Sequence, residues 1–236
     1  MHIAFDADDT LWHNEPVFSL TQQKVMKLLA PHLPEEARLS EQLVEVERRN
    51  LRLFGYGVKG FTLSMIETAL EVSKNTIPAP VIRQILDAGK SMLEHPVELL
   101  PAVDTTVRSL AERHPLMLVT KGDLFDQESK LARSGLSECF AVVEVVSEKN
   151  PETYRDLLRR HDIDAERFVM IGNSVKSDIL PVVAIGGNAI HVPYATTWVL
   201  DQVDHGGPEA EGYWQLDDLS KLDDVLGKIA ALGWNG

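Results

Sequence analysis

Three acids stand together near the start of the chain: Asp6, Asp8 and Asp9, directly after the apolar run Ile3-Ala4-Phe5 and just before Thr10. Side chains alternate along a strand, so Asp6 and Asp8 share one side where a short buried strand runs out. Two carboxylates held together at the mouth of a sheet repel each other, and a cation between them or one shared proton relieves the repulsion. Aspartate is common in turns, so the pattern gains weight only from partners elsewhere. Three later segments offer them, each behind an apolar run. They are Thr120-Lys121-Gly122-Asp123, Ser147-Glu148-Lys149-Asn150 and Gly172-Asn173-Ser174-Val175-Lys176-Ser177-Asp178.

The elements that must position these groups are readable from hydrophobic period. From about Pro16 to Leu99 the chain reads as four helices with no strand between them, marked by Val25/Leu28/Leu29, Leu43/Val46/Leu53, Leu63/Ile66/Leu70 and Ile82/Ile85/Leu86. Ser40 is the expected N-cap of the second helix, and Pro80 opens the fourth. Gly55, Gly57 and Gly60 predict a loop over 54–60, whose aromatics and Lys59 make it a candidate for contacting substrate.

Beyond Pro101 strands and helices alternate, the mark of a parallel sheet covered on both faces. Strands are expected at 116–119, 140–146, 168–171 and 189–192, an irregular loop at 193–212, and a last helix at 217–232. Gly135 reads as a C-cap, and Asn150-Pro151 as an N-cap followed by proline at N1. The helical block therefore sits inside the first strand-to-helix connection of an α/β chain. Residues 1–15 and 100–236 form the sheet domain, and 16–99 form a helical-bundle insert poised over its strand ends. Open parallel sheets bind ligands beyond the carboxyl ends of their strands, and every polar cluster lies at such an end.

Composition narrows the function classes. The chain has 236 residues, of which 44% are apolar, enough for a full core. No apolar run approaches a membrane span. A single cysteine, Cys139, excludes an internal disulfide and fits a reducing cytoplasm. A formal net charge of −13 argues against nucleic-acid polymers and anionic membranes as partners. An anionic substrate would need local cations.

The order Asp6-Ala-Asp8-Asp-Thr10, Thr120, Lys149 and Gly172-Asn-Ser-Val-Lys-Ser-Asp178 resembles the haloacid-dehalogenase-like (HAD) hydrolase superfamily, in the branch with a helical cap inserted after the first strand. The resemblance covers the whole chain. It implies a Rossmann-like α/β core, a phosphatase and Mg²⁺ as cofactor. By analogy Asp6 is the nucleophile, forming an aspartyl-phosphate. Asp8 protonates the leaving oxygen and then takes a proton from the hydrolytic water. Asp6 and the backbone carbonyl of Asp8 are the family-type Mg²⁺ ligands, completed by Asn173 and Asp178. Lys149 orients Asp6 and the phosphate. Thr120, with the backbone N–H of Lys121 or Gly122, holds the transferring oxygens, although the Thr120 hydroxyl could instead cap its own turn.

Asn173 departs from the family pattern, which has an acid there, and puts metal affinity in question. The acid at position 8 sets the chain apart from the dehalogenases it resembles, because halide departure needs no proton. The expected function is therefore a Mg²⁺-dependent phosphomonoesterase of a small soluble phosphate ester. A catalytically weak phosphate-ester-binding protein and a phosphomutase are the rivals.

Overall fold

A computed structural model describes residues 1–33, 38–196, 198–201 and 211–232. Among them six strands form one wholly parallel sheet: β1 (His2–Phe5), β2 (Leu116–Lys121), β3 (Phe140–Val146), β4 (Phe168–Gly172), β5 (Asn188–His191) and β6 (Tyr213–Gln215). Their spatial order is β3-β2-β1-β4-β5-β6. The order reverses between β1 and β4, and such a switch point leaves a crevice at the strands' carboxyl ends. Strand alternation fills both faces. Ile3, Phe5, Val169 and Ile171 join one apolar cluster, while Ala4, Phe168 and Met170 join the other. The sheet is thus an α/β core with apolar layers on both sides, as its sequence pattern predicts.

The helices are α1 (Glu15–Leu29), α2 (Leu39–Phe54), α3 (Val58–Val72), α4 (Ala79–Leu93), α5 (Val103–Ala111), α6 (Leu124–Ser134), α7 (Pro151–Arg160), α8 (Leu180–Val183) and α9 (Leu222–Leu232). Asn150 caps α7 by accepting the Thr153 backbone N–H at 2.9 Å, with Pro151 at the first position. Gly135 follows α6 at φ 73°, a left-handed C-cap.

Three local expectations need correction. Ser40 lies inside α2, whose N-cap is Arg38, so the serine caps nothing there. The loop expected at 54–60 shrinks to Gly55–Gly57, because Val58, Lys59 and Gly60 already form the first turn of α3. Gly60 fits that turn for steric reasons: a Cβ there would lie 2.8 Å from the Gly55 carbonyl oxygen. Finally, β6 extends the sheet beside β5 after a stretch that sequence leaves irregular. Much of that stretch, residues 197 and 202–210, lies outside the described residues.

Contacts group the chain into two compact units, one of Met1–His13, Val97–Lys121 and Ser129–Gly236, the other of Asn14–Pro96 and Gly122–Glu128. The helical unit has its own core, including Val25, Leu43, Val46, Phe61, Met65 and Ile85. Gly122–Glu128 groups with the helices, and Lys59 helps tie it there, donating to both oxygens of Asp123 at 2.9 Å. Lys59, expected near substrate, is engaged by that carboxylate. No helix among the described residues is long and apolar enough to cross a membrane.

Within the helical unit Glu47 is buried, and burial, helped by the Glu15 carboxylate, pushes it up to about 7 from its ordinary 4.5. Between those values the folded chain keeps a proton that the unfolded chain has released. This contribution to stability is therefore greatest below 4.5 and is lost as pH rises through 7. The loss is at most about 3 kcal/mol. Urea unfolding near pH 5 and near pH 8 should show the wild type less stable at the higher pH, with Glu47→Gln reducing that difference. An undiminished difference in the variant would assign the effect to other groups.

Candidate active site

Strand β1 delivers Asp6 to the switch point. The Asp6 N–H donates to the Ile171 carbonyl of β4 at 2.8 Å, extending the β1–β4 ladder one residue beyond the strand. Its carboxylate is then fixed from two sides. Oδ1 accepts from Lys149 Nζ at 2.5 Å, and Oδ2 accepts from Thr10 Oγ1 at 3.1 Å. Lys149, brought by the turn between β3 and α7, also donates to Asp178 Oδ1 at 2.6 Å. Its side chain is 1% exposed, as is that of Asp178. Two carboxylates 172 positions apart in the chain therefore share one buried ammonium. Burial would lower the Lys149 ammonium, but Asp178 and then Asp6 more than offset it and hold it protonated. Burial, with Asp178 and Asp8 adding to it, pushes Asp6 upward against the pull of Lys149.

The segment after β4 is shaped around Asp178. Ser174 caps a π-helical turn, Val175–Ile179, by accepting the Ser177 N–H at 3.1 Å, and the turn brings Asp178 back so that its Oδ2 accepts the Ser174 N–H at 3.0 Å. Gly172 makes room for it, since a Cβ there would sit 2.2 Å from Asp178 Oδ2. Asn173 lies against Thr10: its N–H donates to Thr10 Oγ1 at 3.0 Å, and its Oδ1 is 3.3 Å from the same hydroxyl. His191 at the end of β5 holds the Asn173 carbonyl through Nε2 at 3.1 Å.

The remaining predicted residues divide. Asp8 has a different set of partners: Oδ1 accepts from the Trp12 indole at 2.7 Å, and Lys130 Nζ lies 3.0 and 3.2 Å from its two oxygens. Thr120 is buried and its hydroxyl donates to the Lys121 carbonyl at 3.3 Å, the local partner that competes with a phosphate. Lys121 donates to Ser177 Oγ at 2.8 Å and to Asp201 at 3.4 Å. Asp201 also accepts from Ser174 and Ser177. Burial alone would raise Asp201, but Lys121 and the two serines hold it below the usual carboxylate range. Gly122, at φ 134°, belongs by its contacts to the helical unit. Asp9 takes a left-handed turn conformation at φ 62°, and its N–H donates to the Trp12 carbonyl at 2.8 Å.

Among the described residues no three or more His, Cys, Asp or Glu side chains converge as a metal site. The oxygens that do converge are of another kind, since Asp6 Oδ2 and Asn173 Oδ1 both lie within 3.3 Å of the Thr10 hydroxyl. One carboxylate and one amide oxygen are hard donors that suit Mg²⁺ completed by waters and substrate. Both Asp178 oxygens already accept from Lys149 and Ser174.

These clusters, in this order on this sheet, match a family model described as haloacid dehalogenase-like hydrolase over residues 1–186. The chain belongs to the haloacid dehalogenase-like hydrolases. A solved haloacid dehalogenase-like family hydrolase from Xanthomonas campestris is 42% identical, with a TM-score of 0.87 over 99% of this chain and 93% of that one. The glyceraldehyde 3-phosphate phosphatase of Methanothermobacter thermautotrophicus is 27% identical over 95% of this chain and 98% of its own. A 2-haloacid dehalogenase from Pseudomonas syringae pv. Tomato, 24% identical, shares the fold at a TM-score of 0.64 over 96% of this chain and 98% of that one.

In this HAD-like hydrolase the sequence reading missed Lys130, Ser177 and Asp201, and it gave Trp12 no hydrogen-bonding part. A signal existed for Lys130. It lies beside Leu131 and three positions from Gln127 on the buried face of α6, where a lysine is out of place.

Lys149→Met should leave Asp6 and Asp178 facing each other without their shared cation. The expected loss is about 3–5 kcal/mol at neutral pH, shrinking as pH falls because protonating one carboxylate removes the repulsion. Urea unfolding at two pH values measures it, and a pH-independent loss would contradict the arrangement. Gly172→Ala should displace Asp178 and cost both stability and turnover, while the same change at exposed Gly227, where a Cβ meets nothing within 4 Å, should be nearly neutral.

Proposed function

We propose that this hydrolase is a Mg²⁺-dependent phosphomonoesterase of a small soluble phosphate ester, working through an aspartyl-phosphate on Asp6. The observation that carries the proposal is the shared ammonium: Lys149 lies 2.5 Å from Asp6 and 2.6 Å from Asp178 at the sheet's switch point. Phosphoryl transfer needs an in-line nucleophile, cations beside the equatorial oxygens and a proton for the leaving oxygen. Asp6, on the rigid end of β1, attacks phosphorus, and the bond to the ester oxygen breaks. Asp8 delivers a proton to that oxygen. In the second half Asp8 takes a proton from water as the water attacks phosphorus, releasing phosphate and restoring Asp6. Lys149 stabilises negative charge on the transferring group throughout.

The groups assigned to hold Mg²⁺ are Asp6, the Asp8 carbonyl and Asn173, with Asp178 acting through Lys149 and the Ser174 backbone. Bound there, the ion would polarise the phosphoryl oxygens and offset the charge of Asp6. The acid at position 8 supports ester cleavage over halide displacement. The likeness to a glyceraldehyde 3-phosphate phosphatase supports a small phosphorylated metabolite as substrate. The helical unit takes the part of a cap that excludes water and selects the substrate.

Turnover of p-nitrophenyl phosphate and of a panel including glyceraldehyde 3-phosphate should require Mg²⁺. Asp6→Asn should lower kcat by at least about a thousandfold while thermal unfolding stays cooperative. Wild-type turnover in that variant would remove Asp6 as nucleophile. Asn173 favours one rival, a phosphate-ester-binding protein with negligible turnover. Under that reading inorganic phosphate binds without catalysis, and Asn173→Asp restores activity.

A further inference from the structure

The partners of Asp8 carry an inference that rests on the phosphatase reading and deepens it. Asp8 lies three residues beyond the end of β1, outside any strand, where a short carboxylate has several rotamers to choose among. Here two donors remove the choice. The Trp12 indole donates to Oδ1 at 2.7 Å, and Lys130 Nζ meets Oδ1 at 3.0 Å and Oδ2 at 3.2 Å. Trp12 is 1% exposed and held by its own backbone. The Leu100 N–H donates to Leu11 at 2.9 Å and the His13 N–H to Glu98 at 3.0 Å, pinning the chain on either side of it.

Lys130 is less expected. Its side chain is 11% exposed on α6, where a methionine would fill the same space without the cost of burying an ammonium. This ammonium meets the Asp8 carboxylate. Lys149 holds Asp6 together with Asp178, and Lys130 holds Asp8, so each acid of the pair meets a different buried lysine.

We infer that Lys130 is a positioning residue for Asp8: with Trp12 it fixes the carboxylate in the orientation from which Asp8 serves the leaving oxygen. Lys130 touches no reacting atom in this scheme. It acts through Asp8, and its effect scales with how much the departing group needs a proton.

The test compares two leaving groups in the Mg²⁺-loaded protein. Phenol departs with more need of a proton than p-nitrophenol, so phenyl phosphate reports Asp8 more strongly than p-nitrophenyl phosphate. Lys130→Met should lower kcat on phenyl phosphate at least about tenfold more than on p-nitrophenyl phosphate, with little change in either KM. Lys130→Arg, which keeps the donors, should recover part of the ratio. Added to Asp8→Asn, Lys130→Met should change the ratio no further. Equal losses on both esters would mark a merely structural lysine and overturn the inference, as would an unchanged ratio.

A crystal structure of Lys130→Met gives a readout independent of turnover. Departure of the Asp8 carboxylate from the Trp12 indole supports the inference, and its retention overturns it. If the wild type hydrolyses neither these esters nor any member of the phosphate-ester panel, the phosphatase reading fails, and that structure still decides whether Lys130 positions Asp8.

Discussion

Two buried carboxylates gripping one buried ammonium is the constraint on which the rest of this fold depends. Lys149, Asp6 and Asp178 come from three different strand ends, and burial makes each intolerable without the others. The sheet order supplies the place, because β1 and β4 are neighbours at the switch point and Asp6 continues their ladder. The π-helical turn after β4 supplies the return path for Asp178, and Gly172 supplies the volume. The cap on α7 fixes the turn from which Lys149 reaches in. A structure of this kind spends stability on holding like charges together, and recovers a site whose charges are already aligned before any ligand arrives.

Much of this was legible in the sequence for a physical reason: strand-end chemistry leaves a local signature. An apolar run that stops at a polar cluster marks both the strand and the side of the sheet on which the cluster lies. Asp6, Lys149, Asn173 and Asp178 could therefore be collected before any contact was known. Asn150-Pro151 was equally plain, because a cap and a proline at N1 act within one turn. Ser40 misled for the complementary reason. A serine before an apolar stripe is a good cap only if the chain enters the helix there, and α2 starts earlier. The three-residue β6 carries too short a pattern to announce itself, and its pairing with β5 is a tertiary fact.

The side-chain partners were hidden more deeply. Lys121 was expected to offer its backbone to phosphate, but its ammonium is drawn to Ser177 and Asp201, residues 56 and 80 positions away. Thr120 turns its hydroxyl to its own neighbour's carbonyl. Lys59 joins Asp123 in the helical unit. In each instance a polar group that sequence leaves open is claimed by a partner that only folding supplies, since buried or half-buried polar groups are costly when unpaired.

The same accounting bears on Asn173. Asp6, Asp8 and Asp178 bring three negative charges, and Lys149 and Lys130 return two positive ones, so the assembled side chains carry one net negative charge. Lys121 and Asp201 cancel each other nearby. An acid at position 173 would double that net charge, strengthening the hold on a divalent cation and raising the barrier to an anionic ester. The barrier matters in a chain whose formal charge is already −13. An amide keeps an oxygen beside Asp6 and withholds the charge. Under the proposed Mg²⁺-dependent reading Asn173 would trade metal affinity for easier entry of a phosphate, with the two buried lysines offsetting the carboxylates beside it.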